Sequence, residues 1–153
     1  MECYARPFNT LGNYFSADIM AIYRGKWVFC MHKQRNTWEH PSGWIENGET
    51  PMEAAKRELF EEIGLKIDFQ NIQPHLTINF DVGFDDVYLI EKEININDLV
   101  LQYDEVQEVK WATMDEIFEM IYSGTFIPYY KSLIQLFFDM HNQYGCHQTK
   151  KDY

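Results

Sequence analysis

The chain has 153 residues, 46% of them apolar, and a formal net charge of −11. That length and composition fit a single globular domain over residues 1–153. The charge argues against a nucleic-acid backbone as partner, because such binders concentrate Lys and Arg. No run reaches the roughly 18 apolar residues of a membrane span, and no basic-then-apolar leader opens the chain, so the expected location is cytoplasmic. The three cysteines, Cys3, Cys30 and Cys146, are scattered and show neither metal-ligand spacing nor a disulfide framework.

Residues 1–15 form an aromatic arm with Tyr4, Phe8, Tyr14 and Phe15. It is expected to pack on the body or to stack on a substrate, and it makes a homodimer a natural arrangement. Ser16–Tyr23 and Lys26–His32 read as two strands joined at Arg24-Gly25. In the second, Trp27, Phe29 and Met31 alternate with Val28, Cys30 and His32. Both sets are largely apolar, which suits a strand covered on two faces, with Cys30 a buried small hydrophobe.

A basic loop, His32 to Asn36, follows. Lys33 and Arg35 are its candidates for phosphate contacts, because cations are otherwise scarce here; the alternative is ordinary solvated charge. Trp38 either stacks on a base or braces the core. His40 either donates to a phosphate or makes a loop hydrogen bond.

The stretch Gly43 to Leu65 organises the rest. Glu49, Glu58, Glu61 and Glu62 fall within its 23 residues. Thr50 is an N-cap, Pro51 suits the first helical position, Glu53 completes a capping box, and Gly64 is a C-terminal stop. The spacing predicts a helix over Pro51–Ile63. On it Glu58, Glu61 and Glu62 lie within about 100° of one another, opposite Met52, Leu59 and Ile63. Ala54 and Ala55 flank the acidic side and are expected to leave room for an approaching group. Like charges at these spacings repel by a few tenths of a kcal/mol per pair, and they sit toward the end of the helix where the macrodipole disfavours anions. A bound Mg²⁺ or Mn²⁺ relieves both penalties; a solvated acidic face is the alternative.

This segment resembles the Nudix box, G-x5-E-x7-R-E-U-x-E-E-x-G-U with U aliphatic, at Gly43, Glu49, Arg57, Glu58, Leu59, Glu61, Glu62, Gly64 and Leu65. The resemblance implies an α/β (α+β) Nudix-type sandwich with a mixed sheet between helices. It implies Mg²⁺- or Mn²⁺-dependent cleavage of a phosphoanhydride bond in a nucleoside diphosphate linked to another group. Glu61 and Glu62 would then be the main metal ligands, Glu58 a further ligand or the general base, and the Ser42 carbonyl would complete the coordination. Arg57 would orient a glutamate by a salt bridge, and Glu49 would brace the loop or that arginine. Gly43 would allow close backbone approach. Many relatives carry Gly-Gly where this chain has Ser42-Gly43.

Further on, Lys66–Phe69, Ile72–Phe80 and Val87–Ile94 read as strands, with a turn at Gly83 ringed by Asp81, Asp85 and Asp86. That trio is expected to be a solvated hairpin tip rather than a metal cluster. The segment from Asp104 to Trp111 ends in a strand. Nudix relatives often place a further acidic residue here in support of the metal or the base, which makes Glu105 the choice and Glu108 the alternate. Thr113-x-x-Glu116 is a second capping box, opening a helix to Ser123 with Ile117 and Ile121 inward. A last helix is expected from Pro128 to Gln143, with Leu133, Leu136, Phe137 and Met140 as its apolar stripe. A polar tail, 145–153, ends the chain.

A small nucleotide is therefore the expected partner, with neither nucleic acid nor membrane. The foremost substrate is a nucleoside triphosphate, oxidised or not, cleaved to a monophosphate and pyrophosphate. Two alternatives share the fold. One is a non-catalytic nucleotide sensor, although such proteins usually lose box glutamates. The other is an isopentenyl diphosphate isomerase-like enzyme, which the stretch from Asp86 to Tyr129 also resembles. That branch carries a cysteine in the strand leading into the box, where Trp38 to Ser42 has none.

Overall fold

The computed structural model describes residues 15–80, 83–141 and 143. Expectations for Tyr4, Phe8, Tyr14, Asp81, Cys3, Cys146 and the tail lie outside them. In chain order the elements are β1 (Phe15–Tyr23), β2 (Lys26–His32), β3 (Thr37–Glu39), β4 (Ser42–Trp44), α1 (Pro51–Ile63), β5 (Leu76–Phe80) and β6 (Gly83–Glu91), then a 3₁₀ turn at Ile96–Asp98, and β7 (Val106–Ala112), α2 (Met114–Ser123) and α3 (Lys131–Met140).

The strands make one mixed sheet in the order β3-β2-β1-β6-β5, with β4 paired to β1 and β7 to β2. The β1–β6 pair is parallel and the others antiparallel. Side chains of β1 alternate between the two faces. Ala17, Ile19 and Ala21 join Val28, Cys30 and the buried face of α1, while Met20 and Ile22 join Trp27, Phe29, α2 and α3. The two apolar sets of β2 thus feed two cores, as its double periodicity foretells. Among the described residues no helix is long and apolar enough to cross a membrane.

One feature of register creates the cleft. β1 and β2 pair only at Ile22↔Trp27 and Tyr23↔Lys26. Beyond Ile22 the hairpin splays. β2 turns to β3 and β7, while β1 takes β4 along Ser16–Asp18 and β6 along its other edge. The gap between the parted strands opens at the sheet's end, beside α1.

Several expected boundaries move. Lys66–Phe69 is not a strand; it runs as a connection pinned by Phe69, which is buried edge-on to Tyr88 at 5.6 Å. β5 starts at Leu76 because Pro74, lacking an N–H, precedes the ladder. β6 starts at Gly83, so Asp85 and Asp86 lie in a paired strand rather than on a hairpin tip. α3 begins at Lys131, not Pro128. The segment before it is held extended against β3, with Trp38 N–H donating to Thr125 O at 2.8 Å and Ile127 N–H to Trp38 O at 3.1 Å. The buried residues of α3 are Ile134 and Phe137, while Leu136 of the expected stripe is exposed.

Candidate active site

Helix α1 carries the acids, and its limits are set locally. Thr50 accepts from Glu53 N–H, the Glu53 carboxylate accepts from Thr50 N–H, and Gly64 closes the helix at φ 71°. Leu59 and Ile63 are buried, which fixes the rotation of the helix. Ala54 and Ala55 do not leave room for a ligand. Both are fully buried, and their small side chains let the helix press on the core beside β1.

Arg57 is the hub. Its Nε and Nη2 each donate to a different Glu49 oxygen at 2.9 Å, a bidentate pair. Nη2 also donates to Trp44 O at 2.9 Å, and Nη1 to Glu58 Oε1 at 2.6 Å and Glu61 Oε2 at 3.2 Å. These bonds raise the guanidinium pKa and lower that of Glu49. Glu58 packs against Gly43 so closely that a Cβ there would stand 1.8 Å from its Oε1. Burial raises the pKa of Glu58. Glu62 is 4% exposed, and burial, reinforced by Glu58, pushes its pKa up to about 8. Its Oε2 lies 3.6 Å from the Cys30 sulfur. Cys30 is buried, and desolvation followed by Glu62 raises its pKa well above the usual thiol value, so it stays a neutral thiol.

These groups wall a cleft of about 610 Å³ whose lining includes Ser42, Gly43, Arg57, Glu58, Glu61, Glu62 and Glu105. Glu105 arrives from the segment before β7, where its carbonyl accepts from Lys33 N–H at 2.8 Å. Glu108, the alternate, is exposed on β7 opposite Met31 and does not line the cleft.

The four basic and aromatic candidates separate. Arg35 lines the cleft and pairs with Glu39. Lys33 turns away, with its ammonium on Tyr103 O and 3.9 Å above that ring. Trp38 is in the core, covered by Lys110 at 3.9 Å. His40 is buried, its Nε2 3.2 Å from Asp18 Oδ1 and its ring stacked on Tyr129 at 5.5 Å. Burial alone would lower its pKa; the Asp18 charge outweighs that and holds it above the ordinary value.

The opposite wall was not foreseen. Ser16, Asp18, Asp85 and Tyr129 line it. The Ser16 hydroxyl donates to Asp85, whose pKa is pushed up to about 7 by desolvation and then by Asp18. A signal for this wall exists in the chain: Asp18 is a lone charge inside the apolar run Ala17 to Tyr23, and a buried charge demands a partner.

The donor set suits a hard divalent cation. Carboxylate side chains and Ser42 line one cleft, and Glu62 is a buried acid beside other acids with no cation paired to it among the described residues. Among the described residues no three acidic, His or Cys side chains are already gathered as a metal site, since Glu58 and Glu61 turn to Arg57.

A mixed sheet between helices, parted at one end by a cleft with an acidic helical wall, defines an α+β protein of the Nudix type. A family model of the NUDIX domain matches residues 14–133. An uncharacterized Nudix hydrolase of Listeria innocua is 40% identical over 103 residues, 67% of this chain and 60% of that protein. An RNA pyrophosphohydrolase of a Sulfurovum species is 30% identical over 102 residues, 57% of this chain and 65% of that protein. The crystal structure of a NUDIX-family hydrolase from Clostridium perfringens superposes with a TM-score of 0.64 at 21% identity, covering 85% of this chain and 99% of that one. The chain belongs to the Nudix family, and it spans only 60% of the length of the Listeria relative.

Proposed function

We propose that the protein hydrolyses a phosphoanhydride bond in a nucleoside triphosphate, oxidised or not, releasing the nucleoside monophosphate and pyrophosphate. Water oxygen bonds to phosphorus, the bridging P–O bond breaks with its electron pair on the pyrophosphate oxygen, and one proton is released. The observation that carries this reading is the convergence of Glu58, Glu61, Glu62 and Glu105 on one cleft beside the Arg57 hub. The family membership and the relative named as a pyrophosphohydrolase support it.

Glu61, Glu62 and the Ser42 carbonyl are the proposed holders of Mg²⁺ or Mn²⁺, with Glu58 and Glu105 as further ligands or base. An ion held by these residues would supply charge neutralisation on the phosphoryl oxygens and lower the pKa of the attacking water. Arg57 keeps Glu58 and Glu61 at fixed positions through Glu49 and the Trp44 carbonyl. Arg35, at the cleft's rim, is placed to meet phosphate. Positioning and electrostatics of this kind account for most of phosphoryl-transfer catalysis.

The test is a panel of triphosphates, nucleoside diphosphate sugars and dinucleoside polyphosphates incubated with Mg²⁺, with products identified by mass. Monophosphate plus pyrophosphate from a triphosphate is expected. Binding without turnover across the panel would refute hydrolysis and leave a nucleotide sensor.

A further inference from the structure

The wall opposite the glutamates has a chemistry of its own. Ser16 faces Trp44 of β4 on one side and Asp85 of β6 on the other, in one row across the sheet. Asp85 is therefore two strand steps, about 10 Å, from the β4 backbone against which Glu58 packs. That separation matches the reach from the α-phosphate of a nucleotide to the pairing edge of its base. Both ends open on the same cleft.

Asp18 has His40 as counter-charge. Asp85 also feels the His40 charge, but its one hydrogen-bond partner among the described residues is the Ser16 hydroxyl, so its carboxyl keeps free acceptor capacity in a half-buried place. A carboxyl there repels phosphate and attracts N–H groups. Tyr129, held against His40, supplies an aromatic surface at the same end.

Building on the reading of the cleft as a nucleotide site, we infer that Asp85 is a specificity-determining residue that selects a base presenting adjacent imino and amino N–H donors, a guanine-type edge. Ser16 is its positioning residue. The base stacks on Tyr129 with its edge against Asp85, which turns the phosphates toward Arg35 and the glutamates. Where the carboxyl is ionised, above its pKa of about 7, an adenine, which offers an amino group beside a ring acceptor, sets a lone pair against it. A hypoxanthine keeps the imino donor and lacks the amino one.

The test is calorimetric binding of GMP, IMP and AMP in Mg²⁺ buffer at a pH of about 8, where the Asp85 carboxyl is ionised, and it needs no turnover. GMP should bind about 10-fold more tightly than either competitor, the scale of one unmade buried hydrogen bond. Asp85→Asn should collapse that preference to within about 3-fold. Ser16→Ala, which removes only the orienting hydroxyl, should narrow it too and serves if Asp85→Asn does not fold. Equal binding of the three by the wild type, or an undiminished preference in the variants, overturns the inference. Hydrolysis without discrimination sinks this inference alone; discrimination without hydrolysis sinks the proposed activity alone.

Discussion

Arg57 meets five acceptor oxygens, on Glu49, Trp44, Glu58 and Glu61, with one planar fork, a geometry that no other amino-acid type offers. Lysine offers a point charge on a flexible stem and cannot hold Glu49 bidentately while bonding Trp44 O and Glu58. Arg57→Lys should therefore lower kcat by about 10-fold or more, the scale of lost positioning, with the fold intact by circular dichroism. Wild-type kcat would show that the hub is not needed. Gly43 is the other position decided by contact. A methyl group there collides with a movable carboxylate, not with backbone. Gly43→Ala should displace Glu58 and cut kcat by up to about 10²-fold, with a melting temperature close to wild type. Full activity in that variant would remove Glu58 from the account.

The pKa of Glu62 rises to about 8 and that of Asp85 to about 7. The folded chain thus keeps protons that the unfolded chain has lost from its acids above their ordinary values of 4.5 and 3.8. Stability of the metal-free protein should fall as pH rises from about 4.5 to about 8. Thermal melts between pH 5 and 8 check it, and Glu62→Gln should flatten the slope. Stability that rises with pH over this range, or an unchanged slope in the variant, would contradict the assignment.

Among the elements, α1 was legible in the sequence end to end, because both of its limits are local. A capping box fixes the start, a left-handed glycine fixes the stop, and each is written within a few residues. α2 was legible for the same reason. α3 was not, because its start depends on a distant partner, the pairing of Trp38 with Phe126. Ala54 and Ala55 were misjudged because helical angles give the acidic side but not how near the sheet comes. Thr50→Ala should cost about 1 kcal/mol in urea unfolding through loss of the cap. Ala55→Leu should cost about 1–3 kcal/mol by overpacking against the core. A neutral Ala55→Leu would mean that the helix stands off the core.

For the molecule as a whole, the half of the cleft written in one contiguous stretch was readable, and the half assembled by non-local pairing was not. The glutamate wall comes from residues 43–65 and needs only a helix to converge. The Asp18–Asp85 wall depends on the parallel β1–β6 register and on the splay of β1 from β2, and neither leaves a periodic trace. The basic loop shows the same limit. Composition singled out Lys33 and Arg35 equally, yet Lys33 is drawn onto Tyr103 and only Arg35 faces the cleft. In the proposed hydrolysis it is the cleft carboxylates, not acidic surface in general, that act. The most direct test is Mg²⁺-dependent turnover of one triphosphate by wild type, Glu61→Gln, Glu62→Gln and Glu108→Gln, the last an exposed acid outside the cleft. Losses of about 10²-fold or more in the first two variants, with wild-type turnover in Glu108→Gln, are expected. Undiminished turnover in both cleft variants would contradict the account.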